Sequence, residues 1–328
     1  MSDRLERLRA ARLHHQRSAP DPDALVRGTI GLHSTDYATP YLSARARIPE
    51  FEAAPLFARL NASDGLVRVN AMRNTVHVVH TDDLPMIVAA TGASVAATGR
   101  RVLKDRSDAE IEAGVEALCA VLSDGPLGSN EIKAALPSHA QNVRYWLLVA
   151  MGTGRVIRAE TPKIRSNRTR YALLRQRVPG FEPVPASEAR RALLLRAVRT
   201  FGPVTVEDLA WWLPAPKGEV GRALASDPTL RRLEAAGRTW WYADGLGDTA
   251  PPPRDAHGAW LLPYEDALLK GYLDRAWCLA PGLKPVLFPY SVAHWHPPDG
   301  NDPGSAPNKG PNVTGEARPS IWWGGPRR

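Results

Sequence analysis

Four consecutive polar side chains, His33-Ser34-Thr35-Asp36, interrupt an apolar stretch just ahead of Tyr37. Histidine exchanges a proton near neutral pH, and a carboxylate beside it can hold a water or face a cationic transition state. An oriented water and an anion facing an oxocarbenium-like sugar are the two functions that breaking an N-glycosidic bond requires. His33 would orient or deprotonate the water, Asp36 would stabilise the sugar cation and Thr35 would hold the geometry. The same residue types allow a second reading, since Ser34, Thr35 or Asp36 could simply cap the helix-like run that follows over 41–48.

A second group of candidates is cationic. Lys163, Arg165, Arg168 and Arg170 crowd one hairpin tip with no acidic residue between them. Phosphate contact would relieve their mutual repulsion; a solvated hairpin is the alternative. Gln141, Asn142 and Arg144 fall on the helix expected just before, over 138–151, where amide side chains either read adenine edges or are merely solvated. Arg73, at the turn of an earlier hairpin, joins them as a candidate DNA contact. Trp211-Trp212 reads as core, and Glu265, Asp266 and Asp274 with Arg275 as an ion-pair network, with a catalytic role there as the lesser alternative. His294 and His296 lack an evident third ligand, and Cys119 and Cys278 stand in unlike contexts. No metal site, disulfide framework, phosphate loop or cofactor is expected.

These candidates ride on a unit that recurs three times, helices followed by a short polar hairpin. In the copy at 187–242 one helix ends at Phe201-Gly202-Pro203, and Thr205 with Asp208 forms a capping box for the second. A third helix covers about 217–226, and 230–233 pairs with 239–242 across Ala-Ala-Gly-Arg. The copy at 107–178 has Ser107 capping a helix to Leu122, a short helix from Ser129 closed by Pro137, and strands GRVIRAE and RYALLR around the basic tip. The first copy spreads its helices over 3–17, 24–31 and 50–61, before the alternating hairpin LVRVNAMRNTVHVV at 66–79. Three helices closed by a two-stranded hairpin make a winged helix, whose third helix can enter a major groove. The expected fold class is α+β, mainly α. It has winged helices at 1–100, 101–180 and 181–249, then a small β-rich domain at 250–328 with a Pro/Gly-rich loop at 293–312.

The formal charge of +8 over 328 residues favours a polyanionic partner. Only 7 of the 42 basic residues are lysine, an arginine bias that a GC-rich genome also produces, so the placement of the cations is more informative than their number. The charged first helix has no apolar signal core and no run approaches 18 apolar residues. A cytoplasmic protein is expected, with double-stranded DNA as partner, no membrane and no obligate protein partner.

Three stretches, IGLHSTDYATPYLSARARI (30–48), FGPVTVEDLAWWLP (201–214) and LLPYEDALLKGYLDR (261–275), resemble the bacterial winged-helix DNA glycosylases of the AlkZ and YcaQ branches. AMRNTVHVV (71–79) and ARPSIWWGG (317–325) extend the likeness over nearly the whole chain. The resemblance implies three tandem winged helices in a C-shape with a C-terminal β domain. It also implies excision of N7-alkylated purines, including unhooking of interstrand cross-links. The family's Gln-x-Gln or Gln-x-Asp motif falls on His33 and Thr35. His33 would then replace the first Gln, and the second role would move to Asp36. Relatives continue past the tryptophan strand, whereas this chain stops at Arg328, so a truncated β domain with an open edge is expected. The competing class is a non-catalytic DNA-binding or regulatory protein, although no long dimerisation helix or heptad is present.

Overall fold

The computed structural model describes residues 3–62, 65–159, 161–164, 166, 168–248, 259–263, 265–274 and 320–323. Helix α1 (Asp3–His15) is followed by α2 (Pro22–Gly28), which Asp21 caps by accepting the Ala24 N–H at 2.8 Å, with Pro22 at the first position. The helix expected over 24–31 stops at Gly28. Gly31 has φ +95°, and a Cβ there would lie 2.9 Å from the Val78 carbonyl oxygen, so the chain turns at a residue that only glycine fits. It emerges as strand β1 (Leu32–His33), and the polar motif therefore starts on a strand rather than at a helix end.

Helices α3 (Thr39–Arg45) and α4 (Ala53–Asn61) lead to the hairpin of β2 (Leu66–Asn70) and β3 (Val76–His80), then to α5 (Leu84–Val102). The hairpin turns where its chemistry predicts, with Arg73 and Asn74 both at φ +57°. Its alternation misleads in one respect, because the polar positions are not on a solvent face. Arg68 and His77 are 1% and 2% exposed. Leu66 and Val78 pack on one side with residues of α2, α3 and α4, while Val67, Val69 and Val79 pack on the other with residues of α5 and a later helix. Both faces of the hairpin are therefore covered.

The next group comprises α6 (Asp108–Val121), β4 (Leu127–Gly128), α7 (Ser129–Ala135), α8 (Val143–Gly152), β5 (Val156–Arg158), β6 (Arg170–Leu173) and α9 (Leu174–Arg177). Ser107 and Glu110 form the capping box of α6. The helix expected over 138–151 is shorter, because Pro137 opens a 3-10 turn over Pro137–His139 and α8 begins only at Val143. The two hairpins do not project separately. They join in one antiparallel sheet, ordered β1-β3-β2-β5-β6-β4, with Arg68 opposite Arg158 at the seam. Behind it α5 and α8 cross closely; a Cβ on Gly92 would lie 2.2 Å from the Gly152 carbonyl oxygen.

Helices α10 (Ala186–Phe201), α11 (Val206–Trp212) and α12 (Lys217–Ala225) precede the hairpin of β7 (Leu230–Ala235) and β8 (Arg238–Ala243). The Thr205–Asp208 capping box forms, and Ala236 and Gly237 supply the two positive φ angles of a tight turn. Helix α1 covers this hairpin. Leu5 and Leu8, both 0% exposed, meet Trp240 and Tyr242 respectively, and each contributes about 1.5–3 kcal/mol by burial.

Strand β9 (Ala259–Leu262), helix α13 (Ala267–Lys270) and strand β10 (Ser320–Trp323) complete the described chain. The tryptophan strand β10 has a partner, pairing antiparallel with β9 so that Trp322 lies opposite Trp260. Tyr272 donates to the Phe201 carbonyl at 2.6 Å, and Asp208 accepts the Leu273 and Asp274 N–H groups, so residues 272–274 are fastened to α10 and α11. No helix among the described residues is long and apolar enough to cross a membrane. Arg165, Arg275, Cys278, His294, His296 and the 293–312 loop lie outside the described residues.

Candidate active site

Strand β1 divides the motif between the two faces of the sheet, because successive side chains on a strand point in opposite directions. His33 lies directly opposite His77 on β3, with ring centroids 4.2 Å apart. Both rings border a cavity of about 10 Å3, lined also by Thr29, Phe201, Trp212 and Lys270, a space of the order of one water. His77 Nδ1 donates to the Thr75 carbonyl at 3.0 Å, which fixes its tautomer when neutral. Burial holds the ring neutral, pushing its pKa down to about 4 against the opposing pull of the Thr75 carbonyl, and Arg73 and Lys270 add to the lowering.

Ser34 faces the other way. Its N–H continues the ladder to the Val76 carbonyl at 2.7 Å, and its hydroxyl accepts from Arg68 Nε at 3.2 Å. The Arg68 guanidinium stacks on the Tyr37 ring, 4.7 Å from its centroid. Burial lowers the Arg68 pKa, and Tyr41 and Tyr37 offset part of that. The Tyr41 hydroxyl, whose own pKa burial raises, acts on Arg68 without closing to a hydrogen bond. Across the seam, Arg158 donates to Asn70 Oδ1 at 3.0 Å and to the Tyr37 hydroxyl at 3.4 Å, and Tyr37 bonds Thr169 at 2.7 Å. The second hairpin therefore helps to fix the residue that follows the motif.

Thr35 and Asp36 are exposed. Asp36 Oδ1 accepts the Ala38 N–H at 2.9 Å, so one carboxylate oxygen braces the turn into α3, as the capping alternative anticipates in part. The Asp36 N–H points at Glu265 Oε2 at 3.4 Å, and Glu265 Oε1 lies 3.9 Å from Lys270 Nζ. The expected network of 265–275 divides accordingly. Asp266 is held by Arg47 through two bonds of 2.8 and 2.7 Å and by the Ser43 hydroxyl at 3.0 Å, all buried. Asp274 pairs with Arg238 at 3.0 Å. Arg68, His77 and Lys270 are the site residues that sequence reasoning misses as functional, and Glu265 is read there chiefly as an ion-pair partner; polar residues within an apolar hairpin were the available signal for the first two.

The candidate DNA contacts do not form one cluster. Arg73 stacks on Trp211, 3.9 Å from the ring centroid, and burial lowers its pKa while Glu265 raises it. Trp212 packs edge-on against Phe201 in the core. Gln141 and Asn142 occupy the turn before α8, not its face, and Arg144 is exposed in its first turn. Lys163 and Arg168 are exposed, whereas Arg170 on β6 is half-buried and meets Glu131 from α7 at 3.6 Å. An acid supplied from outside the hairpin therefore neutralises one of the four cations. The tip is also docked. Asn61 bonds the Thr161 backbone in both directions, at 3.1 and 3.2 Å, and Ile164 packs with the α2–α4 core. Among the described residues no group of three or more His, Cys, Asp and Glu is placed to hold a metal ion.

Helix groups closed by hairpins, with a histidine on an edge strand, define a winged-helix, DNA glycosylase-like protein. The family model described as DNA glycosylase AlkZ-like matches residues 26–290, and the chain belongs to that DNA-binding family. Among solved structures it is similar to the Streptomyces sahachiroi DNA glycosylase AlkZ, with a TM-score of 0.73 and 17% identity over 97% of this chain and 85% of that one. At that identity the likeness is one of fold. No curated protein matches the chain.

Proposed function

We propose that this protein is a DNA glycosylase that hydrolyses the N-glycosidic bond of N7-alkylated purines in double-stranded DNA, including purines held in cross-links. Its architecture would be three tandem winged helices (1–100, 101–180 and 181–249) in a C-shaped array followed by a β domain over 250–328, in keeping with the family match. The observation that carries the reading is the motif's geometry: His33 is fixed on an edge strand against His77 beside a water-sized cavity, and Asp36 is exposed one turn away. An N7-alkylguanine is cationic and leaves without a general acid. As C1′–N9 breaks, the electron pair goes to the base and neutralises it. Water then adds to C1′, and His33 takes its proton. Asp36, with one oxygen on the Ala38 N–H, turns its other oxygen to the sugar cation. Lys163, Arg165, Arg168 and Arg170, with Arg73, Gln141, Asn142 and Arg144, are the proposed DNA contacts.

The test is release of 7-methylguanine and formation of abasic sites from duplex DNA bearing N7-methylguanine. Wild-type protein is expected to release the base, and Asp36→Ala to slow release by about 10²–10³-fold, the usual weight of a group that stabilises transition-state charge. A folded, DNA-binding wild-type protein inactive on this substrate and on cross-linked duplex would instead favour a non-catalytic binding protein. The reading that opposes catalysis rests on one observation, the use of Asp36 as a turn brace.

A further inference from the structure

Two neighbouring carboxylates enter the region of the motif from the far end of the chain, and they do different things. Asp266 ties Arg47 and Ser43 of the α3 segment to α13, whose Leu268 N–H it also accepts at 3.0 Å. Glu265, 3% exposed, lies beneath the motif itself, bridging the Asp36 N–H and the Lys270 ammonium. Lys270 borders the cavity that His33 and His77 share. The titratable side chains that line the cavity are the two imidazoles and Lys270, among apolar neighbours such as Met72 and Phe201, and the Arg73 guanidinium is also in the field of Glu265. A sugar losing its base develops positive charge, which these cations oppose and a carboxylate in addition to Asp36 would stabilise.

We propose that Glu265 is a second anionic group, buried beneath Asp36, whose field stabilises the developing sugar cation, with Lys270 as its counter-ion before substrate arrives. The inference rests on the glycosylase reading and deepens it. Asp36 is exposed and Glu265 is one hydrogen bond beneath it, so a deoxyribose that reaches Asp36 comes within the field of a buried carboxylate, where the low local dielectric strengthens attraction. Thr35, the other exposed residue of the motif, carries no charge, so the carboxylate that joins Asp36 comes from 229 residues away.

The experiment uses the full chain and two probes: duplex DNA carrying a cationic pyrrolidine abasic analogue and the same duplex with a neutral tetrahydrofuran analogue. Wild type is expected to bind the cationic duplex at least about tenfold more tightly, as transition-state mimics bind; equal affinity overturns the proposal without any variant. Glu265→Gln keeps the shape and the acceptor for the Asp36 N–H but removes the charge. It is expected to reduce the cationic preference severalfold, leave binding of the neutral duplex unchanged and slow single-turnover release of 7-methylguanine by about 10²-fold. A Glu265→Gln protein that keeps both the preference and the rate overturns the proposal and leaves the glycosylase reading standing. A wild-type protein that neither excises nor prefers the cationic duplex overturns both.

Discussion

The first two hairpins and the third begin as similar pieces of chain, two short strands around a tight turn, and end in different environments. Strands β2–β3 and β5–β6 fuse into one sheet covered on both faces, with Arg68, Arg158 and His77 drawn into its interior or seam. Strands β7–β8 form their own two-stranded sheet. One face lies under α1, Trp241 packs against the main core from the other, and Arg231, Arg232 and Arg238 are exposed. The third hairpin follows the rule that apolar residues turn inward and charged ones outward. Where the first two depart from it, the polar side chains that are buried surround the motif. Departure from the rule marks the site; adherence marks scaffold.

The largest expected effect separates the two regions by their glue. Arg47→Ala leaves Asp266 buried without its guanidinium and is expected to cost about 3–5 kcal/mol in denaturant unfolding. It should loosen the motif segment and the 265–274 segment together. Leu8→Ala, on the scaffold side, removes apolar contact between α1 and the third hairpin at a cost of about 2–5 kcal/mol. Its excision rate at saturating folded protein should remain that of wild type, since it touches nothing near His33. A rate that fell with Leu8→Ala as far as with a motif variant would erase the distinction.

The third prediction concerns pH. His77 is neutral in the folded protein down to about pH 4 but takes up a proton near 6.5 when unfolded. Below pH 6.5 the unfolded chain binds more protons, so stability should fall as pH drops from 6.5 to 4 and level off below. The loss attributable to this group is about 3 kcal/mol at most. In His77→Phe the slope over that window should flatten; an unchanged slope would assign the acid sensitivity to other groups.

The smallest effect concerns the docked tip. Lys163→Ala with Arg168→Ala should reduce the slope of log affinity against log salt by about one to two units, with little change in excision at saturating DNA. Equivalent changes at Arg231 and Arg232 on the third hairpin provide the contrast. If those alone change the slope, the DNA lies on the scaffold side.

The local devices were legible in the sequence because each is encoded within a few residues. Asp21, Ser107 and Thr205 cap the helices they precede, and the turns at Arg73-Asn74 and Ala236-Gly237 fall where Asn74 and Gly237 tolerate a positive φ. The edge-to-edge fusion of the first two hairpins was not, since nothing in the period of 66–79 specifies a partner at Arg158. For the same reason the alternation of 66–79 does not show that Arg68 and His77 are buried. Of the candidate site, His33, Thr35 and Asp36 were visible as a polar interruption. Lys270 was not, and Glu265 was visible as part of an acidic group but not as a neighbour of the motif, because tertiary contacts over more than 200 residues leave no local periodicity to read.

The most direct test of the central claim, that His33 orients the attacking water, is the single-turnover rate of 7-methylguanine release by wild type, His33→Ala and His33→Gln. Glutamine keeps a side chain able to hold water, and its rate should stay within about tenfold of wild type, while alanine should lose about 10²-fold or more. Equal rates for wild type and His33→Ala in folded, DNA-bound protein would contradict the account.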